Sequence, residues 1–348
     1  MSIPEDRFMA LLREPTVGDV VAGRFRIEYE AGIGGMGIVY RAIDQTTGGT
    51  VALKVLRKAD AAGARRFASE IEALESVEAP TIVRYISHGV WSDGQPYLAM
   101  EWIEGESLAD RLERGPLEIS EVLTLGVRIV SALHAAHARG VIHRDIKPGN
   151  VLLPAGTIED GKVADFGLSR FIRAPHVTTE GLGIGTPGYA APEQVRGTGD
   201  LDERADLFSL GCLLFRCLTN EEAFAGEEAL TVIAKLVLEE PPRARTLRSD
   251  VPSELDELIA RLLAKNRDER PASAEIVMVA LDRLQRGLPA AEERTGISNG
   301  TSGRSRWGAV AGLGALGVGV IWACFAARAP WHTVRTAAAA TSASSVSV

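Results

Sequence analysis

Short apolar segments near the N-terminus predict a group of β-strands followed by a helix. Apolar, β-prone residues occupy positions 25–27 and 38–40, on either side of a glycine-rich stretch. Positions 51–54 alternate in the manner of a short strand. Between positions 64 and 77 the apolar residues recur at helical spacing. The pattern therefore predicts a strand, a glycine turn, two further strands and a helix, in that order.

A second pattern lies near the C-terminus, where residues 307–327 carry no charge over 21 positions. At about 1.5 Å per residue, a helix of that length crosses a hydrocarbon core of about 30 Å. Trp307, Trp322 and Trp331 fall near its ends, where aromatic rings favour the membrane interface. The alternative is a buried helix or a Gly/Ala-rich tail, but its five glycines disfavour a helix in water. We therefore predict a single transmembrane helix over 307–327.

The segments around this span differ in composition from the rest of the chain. Residues 1–24 mix acids with arginines and lack an apolar core of signal-peptide length, which predicts an N-terminal arm. Residues 287–306 are rich in Gly, Ser, Thr, Glu and Arg and predict a juxtamembrane linker. Residues 328–348, rich in alanine and serine, predict a short extracytoplasmic tail that is too small for a folded sensor. One folded domain is expected over 25–286.

Composition excludes some classes of function. The 348 residues carry a formal net charge of −8 and show no basic stripe, which argues against a nucleic-acid partner. Three cysteines are too few for a disulfide scaffold or a zinc site. Cys212 and Cys217 lie in an apolar helical run and are expected to be core thiols, while Cys324 lies in the predicted span.

The glycine-rich stretch reads G-x-G-x-x-G-x-V and consists of Gly32, Ile33, Gly34, Gly35, Met36, Gly37, Ile38 and Val39. Glycines let backbone amides approach phosphate oxygens closely, because no Cβ intervenes. Alone the motif is weak evidence, since a loose hairpin or a dinucleotide-binding loop has similar glycines. A dinucleotide loop leads into a helix, whereas the residues after this motif are β-prone. The sequence therefore favours a hairpin over a dinucleotide-binding loop.

The densest group of chemically useful side chains lies between positions 143 and 167. It comprises His143-Arg144-Asp145-Ile146-Lys147-Pro148-Gly149-Asn150 and, fifteen residues further on, Asp165-Phe166-Gly167. Phosphoryl transfer needs a positioned hydroxyl, cations over the phosphates and ligands for magnesium. These residues supply all three. With the glycine motif upstream, the chain resembles the protein kinases of the serine/threonine type.

The resemblance implies a bilobal, α+β protein-kinase fold. A small N-lobe with an antiparallel sheet and one helix would extend to about Trp102, and a mainly helical C-lobe would extend to about Arg286. ATP and Mg²⁺, for which Mn²⁺ can substitute, would bind in the cleft between them.

The same resemblance assigns roles in catalysis. Asp145 would accept or orient the proton of the substrate hydroxyl, and Lys147 would neutralise the transferring phosphoryl group. Asn150 and Asp165 would hold the metal ion between the phosphates. A lysine two residues after the aspartate is the serine/threonine pattern and disfavours a tyrosine substrate. His143 is expected to be a packed structural residue and not a general base.

For the nucleotide, the resemblance implies that Lys54 contacts the α- and β-phosphates and that Met100 guards the back of the pocket. The backbone groups of Glu101 and Ile103 would meet the adenine edge. Trp102 stands where tyrosine is commoner, and its side chain is expected to face away from the purine. The expected nucleotide contacts are Gly32, Ile33, Gly34, Gly35, Met36, Gly37, Val39, Ala52, Lys54, Met100, Glu101, Ile103 and Leu152.

Lys54 needs an anionic partner, and the family pattern selects Glu70 in the predicted helix. Glu72 and Glu75 fit that pattern less well and are expected to be surface charges. The alternative is that all three glutamates are solvated. Leu74, one turn after Glu70, would pack towards Phe166 and His143.

Other positions have regulatory or structural roles by resemblance. Thr178 and Thr179 are candidates for autophosphorylation, because a phosphate there could pair with Arg144; otherwise they are ordinary loop hydroxyls. The remaining expectations are structural: Thr186 would contact the catalytic aspartate and lysine, Glu193 would pair with Arg270, and Asp206 would support the backbone of the catalytic loop.

Three classes of function remain for such a chain. An active kinase would phosphorylate serine or threonine on proteins, a pseudokinase would serve as a scaffold, and a phosphotransferase would act on small molecules. Pseudokinases commonly lack one of the residues equivalent to Lys54, Asp145 or Asp165, which are all present here. Small-molecule phosphotransferases normally lack the Ala191-Pro192-Glu193 element. The sequence favours an active kinase. We expect a single-pass protein of the cell membrane whose kinase domain lies in the cytoplasm. Its expected partners are ATP, unidentified protein substrates and a second copy of itself.

Overall fold

A computed structural model describes residues 14–34, 37–56, 71, 75–91, 94–166, 187–197 and 201–287. The chain divides into two units, residues 1–292 and 293–348, and all of the described residues belong to the first. The predicted membrane span at 307–327, the tail at 328–348 and Cys324 lie outside the described residues.

The N-lobe is built on a six-stranded antiparallel sheet with the spatial order β1-β2-β3-β4-β6-β5. Its strands are β1 (Val20–Val21), β2 (Phe25–Gly34), β3 (Gly37–Asp44), β4 (Thr50–Leu56), β5 (Tyr85–Val90) and β6 (Pro96–Glu101). Side chains alternate between faces along a strand, so that Ile38, Tyr40 and Ala42 of β3 are buried while Val39 and Arg41 are less so. The buried face forms a core of its own with Phe25, Ile27 and Leu53 among its members.

A small three-stranded sheet opens the C-lobe and consists of β7 (Gly105–Ser107), β8 (Val151–Pro154) and β9 (Lys162–Val163). The helices are α1 (Leu108–Leu112), α2 (Ile119–His137), α3 (Pro192–Arg196), α4 (Arg204–Thr219), α5 (Ala229–Leu238), α6 (Ala244–Leu247), α7 (Ser253–Leu262) and α8 (Ala274–Gln285). Three 3₁₀ turns lie at Pro148–Asn150, Pro187–Tyr189 and Arg267–Glu269. The sheet-rich N-lobe and helical C-lobe agree with the predicted bilobal, α+β architecture.

Helix α4 is the centre of the C-lobe, because 13 of its 16 residues are buried. Gly211 lets α7 approach closely, since a Cβ at this position would lie 2.8 Å from the Cβ of Leu262. Cys212 and Cys217 are buried here as expected, and burial raises the pKa of the Cys217 thiol to about 12. Both therefore act as small apolar core residues.

Among the described residues, α2 alone is long and apolar enough to cross a bilayer. Half of its most apolar window is buried inside the protein. It carries Leu125, Ile129 and Leu133 into the core of the C-lobe. These contacts identify it as a core helix of the folded domain.

The predicted ion pair between Glu193 and Arg270 is present and buried. The Nη1 of Arg270 donates to Oε1 of Glu193 at 2.7 Å and Nη2 donates to Oε2 at 2.9 Å. Arg270 also donates to the carbonyls of Ala264 at 2.8 Å and Arg204 at 2.9 Å. The pair therefore joins α3 to the start of α4 and to the segment after α7.

Removal of one partner from this pair should destabilise the domain strongly. Replacing Arg270 with methionine leaves Glu193 buried and uncompensated, so Arg270→Met is expected to lower the free energy of unfolding by about 3–5 kcal/mol. Urea denaturation followed by circular dichroism measures the change. The matched control is Arg286→Met, because Arg286 is 67% exposed in its pair with Asp282 and its loss should cost about 1 kcal/mol or less. Equal effects of the two changes would contradict the assigned role of the buried pair.

Candidate active site

Three predicted catalytic side chains meet at the start of the 3₁₀ turn Pro148–Asn150. Oδ2 of Asp145 accepts a hydrogen bond from Nζ of Lys147 at 2.8 Å and another from Nδ2 of Asn150 at 2.9 Å. Nδ2 of Asn150 also donates to the backbone carbonyl of Asp145 at 2.8 Å. The proline at the first position of the turn fixes the backbone bend that brings Asn150 back towards Asp145. An acidic acceptor, an ammonium and an amide are therefore held within one hydrogen-bonded group.

Asp165 follows β9 of the C-lobe and pairs with Lys54 on β4 of the N-lobe. Nζ of Lys54 donates to its Oδ2 at 2.7 Å. Burial opposes ionisation of Asp165, but the charge and hydrogen bond of Lys54 prevail and lower the pKa of that carboxyl below its ordinary value. The charge of Lys147 acts in the same direction. Asp165 is therefore an anion in contact with Lys54, and its φ of 64° is a left-handed conformation that is uncommon for a non-glycine residue.

Asp206 at the start of α4 holds the catalytic loop from behind. Its fully buried carboxylate accepts the backbone N–H of His143 at 2.8 Å and that of Arg144 at 2.7 Å. It also bonds Nε2 of His137, on the last turn of α2, at 2.8 Å. Burial opposes the charge, but the hydrogen bond and charge of His137 and the loop N–H of Arg144 lower the pKa of Asp206. The predicted support of the loop by Asp206 is thus present in atomic detail.

His143 is a packed structural residue, as expected from the sequence. It is fully buried, and its Nε2 lies 2.8 Å from the carbonyl oxygen of Ala164. Its Nδ1 accepts the N–H of Asp145 at 3.2 Å, and its ring centroid lies 4.4 Å from that of Phe166. Both ring nitrogens are therefore bonded to backbone groups.

The surface predicted to cover adenine is the less buried face of the N-lobe sheet. Val39 pairs with Lys54, and Ala52 pairs with Met100 on the neighbouring strand. Ala52, Met100, Ile103 and Leu152 belong to one apolar cluster that also contains Ala164, the residue before Asp165. This cluster joins β4 and β6 to β8 of the C-lobe. It lies next to the charged group, because Ala164 directly precedes Asp165.

Glu101 anchors the segment between the lobes. Its Oε1 accepts Nζ of Lys162 at 2.6 Å and the N–H of Arg84 at 2.9 Å, while its own N–H donates to the carbonyl of Arg84 at 2.9 Å. A purine edge would therefore have to meet the carbonyl of Glu101. The side-chain contacts of Glu101 join the N-lobe to β9.

The glycine motif forms a hairpin, and the interpretation as a dinucleotide loop is excluded. Strands β2 and β3 are antiparallel, with Ile33 opposite Ile38 and Gly34 opposite Gly37. Gly37 is required, because its φ is 155° and a Cβ would lie 2.1 Å from the carbonyl oxygen of Val55. Gly32 belongs to the same strand as Gly34.

Several predicted positions lie outside the described residues. These are Gly35 and Met36 of the glycine motif, Glu70, Glu72 and Leu74, the loop threonines Thr178 and Thr179, and Thr186. Their roles stay predictions. The sequence did not indicate that Lys54 pairs with Asp165, which lies 111 positions further along the chain. His137 was also missed as a partner of Asp206. The position of His137 at the end of a helix, six residues before His143, could have indicated that it lies close to the catalytic loop.

Asp165 and Asn150 suit a magnesium ion by their chemistry. Mg²⁺ prefers carboxylate, amide and water oxygens and commonly takes only one or two protein ligands beside the phosphates. Among the described residues no cluster of three or more His, Cys, Asp or Glu side chains could hold a metal ion alone. A metal at this site would therefore depend on oxygens from the nucleotide.

The comparisons with known proteins agree with this geometry. The protein kinase domain family matches residues 25–280, and the chain belongs to that family. It is 35% identical to the serine/threonine-protein kinase Pkn3 of Myxococcus xanthus over 298 residues, which cover 81% of this chain and 54% of Pkn3. It is 35% identical to PknL and 37% identical to PknA, two serine/threonine-protein kinases of Mycobacterium tuberculosis, over 81% and 72% of this chain and 71% and 59% of theirs. The match thus spans about half the length of Pkn3.

A solved structure shares the fold. The crystal structure of Rad53 residues 1–466 in complex with AMP-PNP superposes with a TM-score of 0.62 at 26% sequence identity. The superposition covers 75% of this chain and 66% of that one. Within the protein kinase family, this chain is therefore similar to serine/threonine-protein kinases of bacteria.

The buried carboxylate of Asp206 should make stability depend on pH. Because its folded pKa lies below the unfolded value of about 3.9, the ionised carboxylate stabilises the fold above about pH 4, and this contribution is lost as the pH falls towards the folded pKa. For Asp206→Asn, the free energy of unfolding should therefore fall less steeply than in the wild type between about pH 4 and pH 2. Urea denaturation at a series of pH values measures both slopes.

The control for this experiment is Asp160→Asn, because Asp160 is an exposed aspartate of the turn before β9. Its slope should match that of the wild type. If the free energy of unfolding of Asp206→Asn and of the wild type changed with pH at the same slope, Asp206 would not be an ionised carboxylate that stabilises the fold.

Proposed function

We propose that this protein transfers the γ-phosphoryl group of ATP to serine and threonine hydroxyls of other proteins. The observation that carries the proposal is the convergence of Asp145, Lys147 and Asn150 in one hydrogen-bonded group opposite the Lys54–Asp165 pair. A scaffold without activity would not need these five side chains in this arrangement. The proposed kinase domain extends over residues 25–286.

In this mechanism the chain positions groups and balances charge. Asp145 orients the substrate hydroxyl and accepts its proton as the oxygen attacks phosphorus. Lys147, 2.8 Å from that carboxylate, neutralises charge on the transferring group. Lys54 binds the α- and β-phosphates once nucleotide enters the cleft. Mg²⁺, held by Asp165 and Asn150, would shield the phosphate charge, and Mn²⁺ would substitute for it.

The substrate class is supported by the chain's own residues and by its relatives. Lys147 follows Asp145 by two positions, as in serine/threonine kinases. Pkn3, PknL and PknA are named as kinases of that specificity. The Rad53 structure provides a precedent for AMP-PNP in this fold.

We further propose that Thr178 or Thr179 is autophosphorylated. A phosphate on either threonine would be dianionic near neutral pH and would pair with a guanidinium such as that of Arg144. Because Arg144 directly precedes Asp145, such a pair would act on the catalytic loop itself.

The membrane is the proposed location. Residues 307–327 are uncharged and long enough to span a bilayer. Because the kinase needs ATP, its domain would face the cytoplasm. Attachment would raise the local concentration of the chains and favour autophosphorylation between two copies in a homodimer.

Activity should depend on the convergent group. With radiolabelled ATP and Mg²⁺, wild type is expected to label itself and a serine/threonine peptide library. Asp145→Asn and Lys54→Met should each reduce the rate by at least about a hundredfold, because the base or the phosphate contact is lost. The exposed Asp160→Asn serves as the control and should retain the wild-type rate. Equal labelling in all four proteins would refute the proposed function.

Mass spectrometry of the labelled wild type locates the autophosphorylation. We expect phosphate on Thr178 or Thr179 and none in Asp145→Asn. Label confined to other residues would exclude the proposed switch while leaving the kinase assignment intact.

The C-terminal segment should govern membrane association. A chain that ends after Gly303 is expected to appear in the soluble fraction, whereas the full chain sediments with membranes and resists extraction by carbonate. Autophosphorylation of the truncated chain should be slower at equal total amount, since the local concentration falls. Sedimentation of both chains with membranes would contradict the proposed anchor, and an unchanged rate would remove the role of attachment in autophosphorylation.

A further inference from the structure

A cluster of aromatic and charged side chains connects the glycine-rich hairpin to the segment between the lobes. We call it the hinge cluster, and it consists of Tyr29, Arg41 and Trp102 with Glu28 and Glu104 around them. The guanidinium carbon of Arg41 lies 5.8 Å from the ring centroid of Tyr29 and 5.8 Å from that of Trp102. The two rings meet edge to face with centroids 6.1 Å apart. One guanidinium thus contacts an aromatic ring from each side of the connection.

Two glutamates complete the hinge cluster. Arg41 forms an ion pair with Glu28 of β2 through Nη1. Its Nη2 lies 3.8 Å from Oε1 of Glu104, and Nε1 of Trp102 donates to the same oxygen at 2.8 Å. Glu104 therefore contacts both the indole and the guanidinium, while its own side chain is 78% exposed.

The backbone explains why two neighbouring residues reach Arg41. Along the β2–β3 ladder, Ile27 pairs with Ala42 and Tyr29 pairs with Arg41, so that Glu28 is an extra residue on β2. Such a bulge re-aims side chains that would otherwise alternate between the faces of a strand. Glu28 and Tyr29 can therefore both face the guanidinium.

The position of Arg41 relates the hinge cluster to the nucleotide. Arg41 pairs directly with Ala52 and follows Val39 by two residues on the same face of β3. Val39 and Ala52 are the residues expected to cover adenine. Arg41 therefore stands at the end of that surface nearest to Trp102, which lies between Glu101 and Ile103.

We infer that Tyr29, Arg41 and Trp102 are positioning residues that fix the glycine-rich hairpin at a set height above the adenine site. This inference rests on the proposed function, since it concerns ATP binding. The hinge cluster joins β2 and β3 to the segment between the lobes, so its loss would let β2 and β3 move relative to Ile103. This movement would weaken nucleotide binding. The chemical step would be unaffected, because Asp145 and Lys147 belong to the C-lobe.

The test compares the wild-type full chain with Arg41→Gln, Trp102→Leu and the double variant. The dissociation constant for ATP and the KM for ATP should rise about three- to tenfold in each single variant, as expected for the loss of contacts of this type. The value of kcat should stay within about twofold of the wild type, because the transferring groups are untouched. The double variant should bind about as weakly as either single variant, since both changes remove one connection.

Trp102→Tyr is the conservative variant. It retains an aromatic face for Arg41, so its affinity for ATP should lie closer to that of the wild type than the affinity of Trp102→Leu does. If Trp102→Leu does not fold, as judged by circular dichroism, Arg41→Gln carries the same test.

Arg26→Gln is the matched control, because Arg26 is an exposed arginine on β2 and lies outside the hinge cluster. It should bind ATP like the wild type. Folded Arg41→Gln and Trp102→Leu proteins with wild-type affinity for ATP would overturn the inference while leaving the proposed function intact. A wild-type chain that binds no ATP would overturn both, and the two failures are therefore distinguishable.

Discussion

The arrangement of the active site depends on one buried carboxylate. Asp206 is fully buried at the start of α4 and accepts the N–H groups of His143 and Arg144. Arg144 has a φ of 67°, an uncommon conformation that costs energy and persists only where the surroundings enforce it. Asp206 holds Arg144 in this conformation through the N–H of Arg144, and Gln194 donates to the carbonyl of Arg144 at 3.0 Å. Because Asp145 follows Arg144 directly, the direction of its side chain is set by these bonds.

The charged side chains of the cleft are paired with one another, and nucleotide binding would have to break these pairs. Lys54 is the expected phosphate ligand, yet it pairs with Asp165, the expected metal ligand. Lys147 pairs with Asp145 in the same manner. Each ammonium thus holds an acidic group in place, and the proposed binding of phosphates and a metal ion would replace this pairing. Removal of either lysine would leave a partly buried carboxylate without its counter-charge.

Local chemistry could be predicted from the sequence, whereas long-range partners could not. The glycine hairpin followed from the β-prone residues after Gly37, and the core position of Cys212 followed from its apolar neighbours. The Glu193–Arg270 pair and the support by Asp206 followed from family resemblance, since nothing in the local pattern links residues 77 positions apart. The bond from Lys54 to Asp165 and the contact of Arg41 with Trp102 remained hidden for that reason: each depends on how strands and lobes pack, and a bulge at Glu28 cannot be read from alternation alone.

The most direct test of this account measures single-turnover phosphoryl transfer by Asp206→Asn at saturating ATP and Mg²⁺. An asparagine can accept fewer of the loop's N–H groups, so the rate should fall by at least about tenfold while the dissociation constant for ATP stays near that of the wild type. A folded Asp206→Asn protein that transfers phosphate at the wild-type rate would contradict the claim that this carboxylate positions the catalytic loop.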